Sequence, residues 1–153
     1  MLKISSQMLL VLPLVLGIGL AIVLQTAINT QLREYLNSPF QASLLSFMVG
    51  TALLMLLVAL QPIALPSVKQ VLSIPWYLWL GGCLGVYAIS SSIYSAPKLG
   101  FLTFSGLIIF GQLFLSILVD HFGWLGADKT PINWQRVGGA VLIFMGFLLT
   151  LKH

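Results

Sequence analysis

The chain has 153 residues, of which 59% are hydrophobic and only 7% charged, and its mean hydropathy is +1.05. Soluble domains carry about a quarter charged residues, so a water-soluble fold is excluded. Seven Lys and Arg against three Asp and Glu give a net charge of +4 with no consecutive basic block, which argues against nucleic-acid binding. The single cysteine, Cys83, lies inside an apolar run and excludes both an intrachain disulfide and a cysteine-cluster zinc site.

A hydrocarbon core of roughly 30 Å takes about 20 helical residues. On that ruler five apolar runs read as spans, at about 8–32, 40–60, 76–95, 101–119 and 135–151. The run after Lys3 begins like a signal peptide, but it is long and four more runs follow, so it reads as a retained first span. The runs are continuously apolar and leucine-rich rather than alternating, which disfavours a β-barrel. The expected fold is an all-α integral membrane protein, one domain over 1–153 with five transmembrane helices and no soluble domain.

The first span sets Gly17, Ala21, Gln25 and Asn29 at i, i+4 spacing along one stripe. Its amides either bond across to a neighbouring helix or line a polar cavity. At its end Glu34 adjoins Arg33 and reads as a surface ion pair. Asn37, Ser38 and Pro39 break the chain before the second span, and Pro62, Pro66 and Pro75 punctuate the connection to the third.

The third span is glycine-rich at Gly81, Gly82 and Gly85, then polar at Ser90, Ser91 and Ser92 between Tyr87 and Tyr94. Three consecutive hydroxyls cannot all face one neighbour, and some are expected to bond their own backbone carbonyls. Pro97 and Gly100 separate it from the fourth span, where Ser105, Gln112 and Ser116 share a face. Asp120 follows the C-terminal end of that span, where the helix dipole disfavours an anion, and a structural ion pair with Arg136 is expected to compensate it. Thr130 and Pro131 read as N-cap and first position of the fifth helix.

No Asp, Glu, Lys or Arg occupies the centre of a span, so proton coupling has no support in the sequence. His121 and His153 are terminal or interfacial, and no acid–base pair, phosphate loop or nucleophile elbow appears. No enzymatic activity, cofactor or metal is expected.

Five spans put the termini on opposite faces. The N-terminal face then holds Lys3, Lys69, Lys129 and Arg136, and the other Arg33, Lys98 and Lys152. Orientation follows Lys and Arg imbalance, and four against three leaves both insertions open. Trp76, Trp79, Trp124 and Trp134 all fall near the N-terminal face, so interfacial belts form at both surfaces only in an antiparallel pair.

Gln25-x3-Asn29, Ser38-Pro39, Phe47-x2-Gly50, Trp79-x-Gly81-Gly82-x2-Gly85, Pro97-x2-Gly100, Gly111-Gln112 and Asp120-His121-Phe122-Gly123 together resemble the YdcZ family of five-span bacterial inner-membrane proteins, in the drug/metabolite transporter superfamily. The likeness runs the full length. It implies a half-unit of an inverted-repeat transporter, found as dual-orientation chains, oppositely oriented pairs or ten-span fusions. The first helix of small multidrug transporters carries a glutamate. Here Gln25 and Asn29 stand instead, which argues against proton-coupled drug antiport.

The expectation is an antiparallel homodimer, or a paired homologue, in the bilayer of the bacterial inner membrane. It moves a small organic solute, metabolite or drug-like, by alternating access through a cavity lined by Gln25, Asn29, Tyr87, Ser91, Ser92 and Gln112. A passive dual-topology channel and a non-transporting membrane assembly subunit are the alternatives.

Overall fold

A computed structural model describes residues 6–151, with side chains from residue 11 onward. Lys3, Lys152 and His153, used above for facial charge and site chemistry, lie outside the described residues. The described chain is helical, with no strand: α1 (Ser6–Leu36), α2 (Pro39–Ala59), the short α3 (Val68–Leu72), α4 (Leu80–Leu99), α5 (Phe101–Phe122) and α6 (Trp134–Thr150). Three helical stretches are long and apolar enough to cross a membrane: Val11–Leu36, Pro39–Ala59 and Phe101–Phe122. α6 is apolar but shorter, at 17 residues, and α4 carries three serines, a proline and a lysine.

The breaks follow from local chemistry. Ser38 has extended backbone and its Oγ accepts from the Gln41 amide at 3.3 Å, while Pro39 takes the first helical turn, where a missing N–H loses nothing. A two-residue connection therefore folds α1 and α2 into an antiparallel hairpin. At the end of α5, Gly123 is left-handed (φ 65°) and its N–H returns to the Val119 carbonyl; a Cβ there would meet Lys129 Cγ at 2.7 Å.

Three boundaries differ from the sequence expectation. The third run opens as a 3-10 turn over Trp76–Trp79 and becomes α-helical only at Leu80. It then continues through Pro97 to Leu99, because a proline in the last turn removes one helical hydrogen bond; the chain breaks at Gly100 (φ 79°). The N-cap of α6 is Asn133 rather than Thr130: Asn133 Oδ1 accepts from the Arg136 amide at 2.9 Å, and the Thr130 amide is occupied by the Asp120 carbonyl at 2.8 Å.

The chain divides into two compact units at Ser95, one over residues 1–95 and the other over 96–153. In the first, α1 packs on α2, and Phe47 of α2 lies 3.4 Å from the position a Cβ would take on Gly85 of α4. In the second, α5 packs along α6. Gly106 admits Phe147, Phe110 stacks at a tilt on Phe144 with centroids 4.6 Å apart, and Thr103 Oγ1 donates to the Thr150 carbonyl at 3.2 Å.

Candidate functional site

The buried residues of the first unit are mainly polar, with Ala42 and Ile93 beside them, and its outside is aliphatic. Thr26, Asn29 and Thr30 of α1, Ser43 of α2 and Ser90 of α4 are buried, whereas Leu14, Leu16, Leu20 and Leu24 of α1 are more than 60% exposed. In a bilayer this is the stable arrangement: hydrocarbon solvates the leucines, and the hydroxyls and amides find partners only on other helices.

Three hydrogen bonds stitch the seam. Asn29 Nδ2 donates to Ser46 Oγ at 3.1 Å, linking α1 to α2. Ser43 Oγ donates to the Pro39 carbonyl at 2.8 Å, and with that single proton committed it accepts from Ser90 Oγ at 2.9 Å, linking α2 to α4. Arg33 Nη1 donates to the Ile93 carbonyl at 3.2 Å, linking α1 to α4. Thr26 bonds back to the Ile22 carbonyl at 2.8 Å, whereas Thr30 Oγ1 is buried with no hydrogen-bond partner among the described residues.

Beside the seam, a groove of about 530 Å³ opens between Pro39 and Phe40 at the start of α2 and one face of α4, where Tyr87, Ser91, Tyr94 and Ser95 line it. No charged side chain lines it. It offers two phenol rings, hydroxyls and a proline ring, which suits an amphipathic or planar solute more than a strongly anionic one.

The structure distributes the expected site residues unevenly. Tyr87 and Ser91 share the groove, and Asn29 is in the seam. Ser92 turns its hydroxyl onto the Ala88 carbonyl at 2.6 Å, and Ser95 does the same to Ser91. Gln25 is exposed, one residue off the buried face, because the stripe that packs is Thr26, Asn29, Thr30 and Arg33 and not Gly17, Ala21, Gln25 and Asn29. Gln112 is exposed on α5 of the second unit. Thr26, Thr30 and Ser46 are added by the structure, and Arg33 and Ser90, which the sequence offered as an ion-pair partner and as part of a serine triplet, turn out to bond across helices. The polar spacing i, i+3, i+4, i+7 from Thr26 to Arg33 was the signal that marks them.

Arg33 does not pair with Glu34. Successive helical residues diverge by about 100°, and among the described residues the ion pair is that of Arg136 Nη1 with Asp120 Oδ2 at 3.0 Å, each side chain over a third exposed. The Asp120–Arg136 bridge ties the end of α5 to the start of α6, beside the bond from the Ile132 amide to His121 Nδ1 at 3.3 Å. No group of three His, Cys, Asp or Glu side chains is placed to hold a metal among the described residues.

Long apolar helices closing around buried hydroxyls and amides define a multi-pass helical membrane protein with a polar interior. Over residues 9–149 the sequence matches the family described as "Putative inner membrane exporter, YdcZ". The chain belongs to that family, and its place is the inner membrane. No curated protein and no solved structure matches it.

Proposed function

We propose that this chain is one half of an exporter, completed by a second copy or a homologue lying antiparallel to it, with all five apolar runs crossing the bilayer. The pair moves a small neutral, zwitterionic or amphipathic organic solute by alternating access. A five-span unit must be inverted in its partner to give two related gates around a midplane route.

The observation that carries this reading is the seam of Thr26, Asn29, Thr30, Ser43 and Ser90, buried beside a hydroxyl- and phenol-lined groove in a helical unit with an aliphatic exterior. Tyr87 and Ser91 contact solute in the groove, and Asn29, Ser92, Gln25 and Gln112 extend the route on this reading. The absence of any charged side chain in the groove lining supports a cargo without strong net charge.

Purified chain reconstituted in liposomes and screened by solid-supported-membrane currents against metabolite and drug panels identifies the cargo, with saturable, counterflow-competent flux expected. Conductance without saturation makes it a channel, and a stable hetero-complex without flux makes it an assembly subunit. Gln25→Ala and Gln112→Ala each lower flux on this reading, and unchanged flux in both overturns the site.

A further inference from the structure

Pro97 sits in the last turn of α4 and has no N–H, so the helical acceptor four residues earlier, the Ile93 carbonyl, loses its partner. Ile93 is fully buried, where an unpaired carbonyl is unfavourable. The structure fills that vacancy from another helix: Arg33 Nη1 of α1 donates to the Ile93 carbonyl at 3.2 Å.

We infer that Arg33 is a positioning residue that takes the place of the missing amide of residue 97 and latches a proline hinge at the end of α4. The hinge lies in the last turn of α4, and three residues after Pro97 the chain turns at Gly100, whose φ is +79°. A helix bonded throughout resists bending there; a helix whose one free carbonyl is held by a side chain bends when that side chain lets go. Arg33 is half-buried at the end of α1, so its guanidinium has water or headgroups as an alternative. The bond is therefore a switchable one. Its use in gating rests on the alternating-access reading above, while the latch itself does not.

The test is a double-mutant cycle read without any substrate. Pro97→Ala restores an amide at residue 97, which claims the Ile93 carbonyl and makes Arg33 redundant. Ala96, fully buried, is replaced by Cys in a Cys83→Ser background, and thiol labelling in liposomes reports local opening. Arg33→Gln is expected to accelerate labelling roughly tenfold with Pro97 present, as loss of a charged hydrogen bond does. With Pro97→Ala the same substitution is expected to change the rate by less than about twofold.

The helix-dipole contribution of Arg33 is common to both backgrounds and cancels. Equal acceleration in the two overturns the latch. Should Ala96→Cys fail to fold, the same cycle is read as thermal-unfolding midpoints of the four cysteine-unmodified chains. A midpoint drop confined to the Pro97 background supports the latch, and an equal drop in both overturns it. If the cycle succeeds and Arg33→Gln leaves the flux of a confirmed cargo unchanged, the latch stands and its part in gating fails.

Discussion

On α1, Thr30 buries a hydroxyl that has no hydrogen-bond partner among the described residues, although it is flanked by Asn29, whose amide donates to Ser46. An unsatisfied buried hydroxyl destabilises, and an isosteric methyl removes the penalty. Thr30→Val is accordingly expected to raise stability by about 1 kcal/mol, seen as a higher unfolding midpoint in detergent. The flux of a confirmed cargo is expected to fall in the same variant, and unchanged flux would place Thr30 off the route. Asp120→Asn is expected to leave flux intact and to lower stability by less than about 1 kcal/mol, because the Arg136 bridge is solvent-facing. Loss of flux at normal expression would instead make Asp120 functional.

Helix positions were legible in the sequence because hydrocarbon dictates run length, and the Ser38–Pro39 signal marks its boundary unambiguously. Which face of α1 packs was not. Nearly every residue there is apolar, and the choice between a stripe through Gln25 and one through Thr26 turns on a single 100° step. Pro97 misled for a related reason: a proline near a helix end is tolerated once a neighbouring helix supplies the lost donor, and Arg33 lies 64 positions earlier in the chain. Thr130 and Asn133 are both competent caps by residue type, and the helix begins after the one whose side chain reaches a first-turn amide, Asn133 on Arg136. Asn133→Ala is expected to lower stability by about 1 kcal/mol, and Thr130→Ala by much less, when thermal unfolding of both is compared.

For the molecule as a whole, the five-span reading leaves basic residues nearly balanced between the two faces, which makes orientation the first quantity to measure. Accessibility labelling of single cysteines engineered in the α1–α2 turn and in the loop ahead of α6, in a Cys83→Ser background, is expected to find each site reactive from both sides of the membrane in a mixed population. Uniform one-sided labelling would remove the homodimer and leave pairing with a homologue. The groove on α4 was half legible: tyrosines and serines announce a polar face, but only the fold shows that Pro39 and Phe40 form its opposite wall.

The brevity of α6 reaches beyond its packing on α5. Seventeen residues at 1.5 Å each extend roughly 25 Å, short of the roughly 30 Å of an average hydrocarbon layer. On the five-span reading proposed above, lipids shorten to meet that helix, and acyl-chain length becomes an external control on the protein. Liposomes of short-chain lecithins should hold it most firmly, and stretching the tails by a few carbons should weaken it before any side chain is altered.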